Sequence, residues 1–178
     1  MRTLRLLTWH VHGNYLWYLS QIRHQIFLPV KPDGRNGYGG RGRTFPFAGN
    51  VQDVPFDEVR RCDFDAIVFQ ARGHYLEDQF ELLSPAQQRL PRIYIEHDPP
   101  QGHPTDTRHW VDDPNALLVH VTPFNALMWD NGDVPVRVVE HGVLPLNEQR
   151  WSGDIPQGLV VVNNIARRGR RLGLDVWR

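Results

Sequence analysis

Short apolar runs separated by polar, glycine-bearing turns set the rhythm of this chain. Most of these runs are followed by a helical pattern. Residues 3–9 (TLRLLTW) form the first run, which breaks at His10-Val11-His12-Gly13-Asn14. Beyond the break, Tyr15, Tyr18, Leu19 and Ile22 recur at i, i+3, i+4 and i+7, one face of a helix. A buried strand, a glycine turn and a helix capped by Asn14 open a βαβ unit. Further strands are predicted at residues 25–30, 66–70, 92–98, 117–121, 136–142 and 159–164. Helices are predicted at 55–61, with proline and acids in the first turn, at 76–83, restarting at Ser84-Pro85, and at 124–129 behind Thr122-Pro123. Strands alternating with helices predict an α/β, Rossmann-like fold: a doubly wound parallel sheet with right-handed crossovers. There is no internal repeat and no low-complexity tract.

Two segments depart from the alternation. Residues 31–50 hold six glycines and Arg35, Arg41 and Arg43, and no Lys-Ser/Thr follows to make a phosphate-binding loop. A surface loop and a substrate-covering loop both fit, since loops of this length are often functional. Residues 144–158, with Pro145, Gly153, Pro156 and Gly158, read as a linker. It separates a domain over 1–143 from the opening strand and helix of a second over 159–178.

Bulk chemistry narrows the picture. The 178 residues are 40% hydrophobic and 22% charged, which suits a packed core rather than a disordered chain. Twenty basic residues balance twenty acidic ones, so no net field points to a nucleic-acid partner. The basic residues are almost all arginine, forked donors suited to planar anions. One cysteine, Cys62, excludes an internal disulfide and a cysteine-based zinc site, and reads as a buried structural thiol. With no membrane-length apolar run and no signal-peptide pattern, the chain is expected to be soluble and cytoplasmic.

The chemistry-bearing residues lie just past strand ends. His10 and His12 follow the first strand, His74 the third, His97 the fourth and His141 the sixth. Parallel strands share one carboxyl edge, so these side chains are expected to converge on one cleft. A lone histidine is more often structural than functional, and His120, inside an apolar run, is expected in the core. Glu96-His97-Asp98 before Pro99-Pro100 is the sharpest polar cluster. A carboxylate beside an imidazole fixes its tautomer and raises its basicity. Neighbours along a strand point to opposite faces, so His97 or Asp98 is expected to face the ligand with Glu96 in support. Arg167, Arg168, Arg170 and Arg171 lie between a strand and a helix, where an anion site or a solvated basic helix end would fit.

A family resemblance joins these pieces. Residues 138–143 (VVEHGV), closing the first domain before a Pro/Gly linker, resemble the domain-closing stretch of GT-B glycosyltransferases of the family 4 kind. Thr122-Pro123-Phe124-Asn125 is similar to the turn that precedes it there. The run VVVNNIARRGRRLG resembles the start of the family's second domain, and HVHGNY its first-strand loop beside the donor diphosphate. The resemblance implies transfer of a sugar from a nucleotide-sugar donor to an acceptor of the polysaccharide or lipopolysaccharide type, without a cofactor. A glycan or lipid-linked acceptor would allow peripheral contact with a membrane. His97 matches the family's polar residue that contacts the transferred sugar, and with the cluster around it catalytic roles are expected for His97 and Asp98. Donor binding would fall to His12, Gly13, Asn14, Arg167 and Arg171, and substrate binding to His10, Glu96 and His141. Gly13 would let the backbone approach the phosphates. The family's paired glutamates lie deeper in the second domain, beyond this sequence, so the chain is expected to be a fragment. Two rivals stay open. One is a metal-dependent hydrolase, in which His10-Val11-His12 is an HxH metal pair completed by His97, Asp98 and His141. The other is a non-catalytic sugar- or nucleotide-binding module.

Overall fold

The computed structural model describes residues 2–144, 152–162, 164–169 and 173–177. Internal contacts divide the chain into two units, Met1–Leu144 and Pro145–Arg178. The first unit contains seven strands: β1 (Arg5–Leu7), β2 (Gln25–Val30), β3 (Val51–Pro55), β4 (Ala66–Phe69), β5 (Arg92–Glu96), β6 (Ala116–His120) and β7 (Val136–Val138). They form one sheet in the order β3-β2-β1-β4-β5-β6-β7, and every pairing is parallel. This is the doubly wound α/β arrangement.

The order carries a functional consequence. The chain steps outward from β1 to β3, then returns to lay β4 on the other side of β1. Leu6 accordingly pairs with both Ile26 and Ala66. The gap between the carboxyl ends of β1 and β4 is the topological switch point, where open α/β sheets bind ligands.

Side-chain alternation builds the core on both faces. Leu7, Phe27, Ile67, Phe69, Tyr94 and Leu118 pack together on one face, joined by Trp9, Leu82, Leu83 and Val111. Their neighbours turn the other way: Ile26, Leu28 and Val51 under Leu16, and Val68, Ile95 and Val119 beside Tyr15. Leu16 comes from α1 (Gly13–Leu19). On the opposite flank a π-helical turn at His74–Asp78 runs into α2 (Gln79–Leu82). Two caps follow the sequence closely. Thr122 Oγ1 accepts from Asn125 N at the start of α3 (Pro123–Met128). Ser84 and Gln87 close a reciprocal capping box, 2.8 and 3.3 Å, over the 3-10 turn Gln87–Arg89.

Several sequence expectations need correction. His12, not Asn14, is the N-cap of α1, and it caps without a side-chain bond. Ile22 lies beyond that helix. The helix expected over 55–61 is reduced to a 3-10 turn at Val59–Arg61, because Val51–Pro55 is drawn into the sheet as β3. The edge position explains why β3 was hidden: its pattern is mostly exposed, and Pro55 is tolerated at an edge. The last strand ends at Val138 rather than Gly142. Cys62 is only partly buried, packed against the main core with Sγ 3.6 Å from the Glu58 carbonyl.

Among its described residues the second unit has two short helices, α4 (Ile165–Arg168) and α5 (Leu174–Trp177). The strand expected over 159–164 does not form in the described residues 159–162, where Leu159 and Val161 are largely exposed. A β-prone run stays irregular without a ladder partner to take its backbone groups. No helix among the described residues is long and apolar enough to cross a membrane.

The two apolar runs should therefore respond differently to truncation. Ile67→Ala, at a fully buried centre of the sheet, is expected to cost about 2–5 kcal/mol in urea unfolding. Leu159→Ala, 88% exposed, should cost no more than about 0.5 kcal/mol.

Candidate functional site

Three strand ends and one helix build a cluster of rings at the carboxyl edge of the sheet. His12 comes from the turn after β1, His97 from just past β5, His141 from beyond β7, and Tyr15 from the first turns of α1. The His12 and His97 ring centroids lie 4.7 Å apart, and those of His97 and His141 5.5 Å apart with nearly parallel planes. Tyr15 meets His97 edge-on at 4.6 Å and His141 at 5.0 Å. Residues separated by more than a hundred positions thus share one patch, because the parallel sheet returns every strand to the same edge.

A hydrogen-bond chain fixes the central ring. Gln70 Nε2 donates to Thr8 Oγ1 at 3.2 Å, which turns Gln70 Oε1 toward His97 Nε2 at 3.1 Å. An amide oxygen only accepts, so His97 Nε2 carries the proton and Nδ1 presents its lone pair. Burial, reinforced by the neighbouring His12 and His141, pushes the His97 pKa down from 6.5 to about 3. Burial also lowers His12, against the opposing pull of Asp98 and Glu96. The site therefore presents a neutral imidazole, suited to hydroxyl groups, beside the exposed carboxylate of Asp98.

Alternation along β5 separates the Glu96-His97-Asp98 cluster. Glu96 turns to the opposite face, 6% exposed, and its carboxylate works inside the protein. Its Oε1 accepts from Asp98 N at 2.9 Å, and its Oε2 lies 3.2 Å from His109 Nε2. Val111 N donates to His109 Nδ1 at 3.0 Å, so His109 Nε2–H is the donor to Glu96. Trp129 Nε1 donates to the Asp98 carbonyl at 2.9 Å. Glu96 and Trp129 hold the backbone that presents His97.

His10 and His12 part company. His10 Nδ1 bonds to the Gly40 carbonyl, and its ring packs against Phe45 and Phe47 of the 31–50 loop. His12 packs on His97 instead. Among the described residues no three His, Cys, Asp or Glu side chains are grouped to hold a metal ion. The HxH metal pair is therefore not assembled. Gly13 does admit a close approach, but by the Phe45 ring: a Cβ at Gly13 would stand 2.2 Å from Phe45 Cε2. Asn14 is exposed on α1 and Arg167 is exposed on α4; Arg171 lies outside the described residues. His74 is buried against Trp9, ring centroids 4.6 Å apart, rather than on the rim. His120 is fully buried, with Nε2 2.8 Å from Asn131 Oδ1.

Thr8, Gln70 and Tyr15 were missed as site residues. The signal was present for two of them: Thr8 and Gln70 are uncharged polar residues near the end of apolar strand runs, where a buried polar group needs a specific partner. Tyr15 counted only as part of a helix face.

The neutral His97 sets a pH dependence. An unfolded chain takes up a proton near 6.5 that the folded ring refuses down to about 3, so stability falls as pH drops through this window. His12, shifted the same way, adds to the slope. The His97 ring resonances should not titrate between about pH 8 and 5, and H97Q should flatten the acid side of the urea-unfolding profile. A His97 ring that titrates near its ordinary value would contradict the burial argument.

No family model, no curated protein and no solved structure matches the chain.

Proposed function

We propose that this chain is the acceptor-side lobe of a glycosyltransferase of the GT-B kind, with the opening of its donor-binding half. One observation carries the reading: His12, His97 and His141 meet around Tyr15 at the carboxyl edge of a parallel sheet ordered 3-2-1-4-5-6-7. Aromatic rings and uncharged hydrogen-bonding groups suit a sugar, whose faces are apolar and whose rim is hydroxyl. Lewis-acid chemistry through the HxH pair has no such support, because His10 is tied to the glycine loop.

In this reading the His97 Nδ1 lone pair accepts from a hydroxyl of the transferred sugar, and His141 and Tyr15 form the wall against which the ring rests. The exposed Asp98 carboxylate stands beside His12, where it takes the proton from the attacking acceptor hydroxyl. The acceptor oxygen then bonds to the anomeric carbon as the bond to the nucleoside diphosphate breaks. The family resemblance implies that Arg167 and Arg171 bind the diphosphate, a role for which guanidinium forks are well shaped. The acceptor is a glycan or lipid-linked glycan, and the setting cytoplasmic, at most peripheral to a membrane.

The test is calorimetric binding of UDP-glucose and GDP-mannose to the complete gene product, with release of free sugar as the readout of turnover. His97→Ala is expected to weaken donor binding by about tenfold or more, the worth of one buried hydrogen-bonding group. Arg167→Glu should weaken it and make what binding remains less sensitive to salt, since an attraction open to screening is lost. Binding without sugar release would make the chain a sugar-nucleotide module rather than an enzyme. Binding indifferent to both substitutions would defeat the reading.

A further inference from the structure

An apolar cavity adjoins the ring cluster. It holds about 350 Å³ between α1 and the segment that follows β7, lined by Tyr15, Leu19, Ile22, Val139, His141 and Val143 among others. That volume lies at the small end of the range for small-molecule sites, about 300–1,000 Å³. All of its described lining belongs to the first unit.

The helix supplies one wall for a reason visible in its sequence. Tyr15, Leu19 and Ile22 recur at i, i+4 and i+7, the spacing of a core-facing stripe. Yet Leu16 is the one residue of α1 that is fully buried, and it takes the place over Ile26, Leu28 and Val51. The stripe beside it is left half-buried. Leu19 and Ile22 rest on that same core cluster, and Tyr15 on Val68, Ile95 and Val119, so packed side chains back this wall. Across the cavity, Val139 N donates to the His120 carbonyl at 2.9 Å, which fixes the start of the second wall. Val139 is 59% exposed and Val143 75%, and apolar surface of this kind gains when a guest removes it from water. The described lining holds no lysine or arginine, and Glu140 is its one carboxylate, so an anionic tail finds no counter-charge.

Two residues belong to both the cavity and the ring cluster. Tyr15 and His141 line the cavity with ring centroids 5.0 Å apart, and Tyr15 also meets His97 at 4.6 Å. Across this pair of rings the surface changes from hydrogen-bonding to apolar. A bare sugar would use one side and a hydrocarbon the other; an amphiphile uses both. From this continuity we infer that the acceptor is a glycoside with an uncharged, apolar aglycone, its sugar at the histidine rings and its aglycone along Leu19, Ile22, Val139 and Val143. The inference rests on the reading of the ring cluster as a sugar site and names the class of acceptor for it.

The experiment uses the full chain, with methyl, butyl, hexyl and octyl β-D-glucosides kept below their micelle concentrations and octanoate as the anionic tail. Affinity is read by calorimetry, and the seat of binding by the methyl resonances of Leu19, Ile22, Val139 and Val143 and the His141 ring. Each methylene buried should tighten binding about threefold, until the cavity is filled. Val143→Asp alters an exposed side chain outside the core and should weaken octyl glucoside about tenfold or more. Leu127→Asp, at an 80% exposed apolar residue outside the cavity lining, should leave that affinity unchanged. A flat chain-length series, octanoate binding as tightly as octyl glucoside, equal losses in V143D and L127D, or a dimer that V143D dissociates would each overturn the proposal. Donor binding that survives a flat series would strike the aglycone site alone. A rising series without donor binding or sugar release would keep that site and strike the glycosyltransferase reading.

Discussion

Parallel pairing is the constraint on which everything else depends. A parallel strand must be carried back to its starting end before the next can be laid down, so all seven strands of the first unit finish on the same edge. That return brings His12, His97 and His141 together from three distant parts of the chain. It also divides the polar residues by parity. Glu96 and His97 are adjacent in sequence, yet one supports the backbone from inside the core and the other faces the opposite side. A carboxylate can be buried at Glu96 because a backbone amide and the His109 ring both donate to it.

The sequence was most legible where the pattern was long and apolar. Residues 25–30 and the Thr122-Pro123 helix start were recognisable because each local signal, strand propensity or cap chemistry, agreed with the tertiary outcome. β3 was not legible, since it hides few residues and shows no alternation: Val51 and Val54, its sole buried positions, lie three apart and on opposite faces. Residues 159–162 failed the other way. Their composition is strongly β-prone, but a strand also requires a neighbour, and propensity says nothing about one.

The candidate site was legible in part. Histidines just beyond strand ends follow directly from the geometry of parallel sheets, and three of them do meet. Which ones meet was not legible. His10 and His12 are separated by one residue, but the loop carrying Gly40, Phe45 and Phe47 takes up the first and leaves the second to His97. A contact with a loop thirty residues away leaves no periodic trace. The same is true of the Thr8–Gln70–His97 chain, whose members come from three separate strand ends.

The contact of Phe45 with Gly13 ties the glycine-rich loop to the start of α1. Any group that reaches that backbone must first lift an aromatic ring out of its seat, and because Phe45 is only partly buried this costs less than the about 1.5–3 kcal/mol of a fully buried ring. Occupancy of that turn and detachment of the loop are therefore one coupled event. A smaller residue at position 45 would loosen the loop and open the turn together.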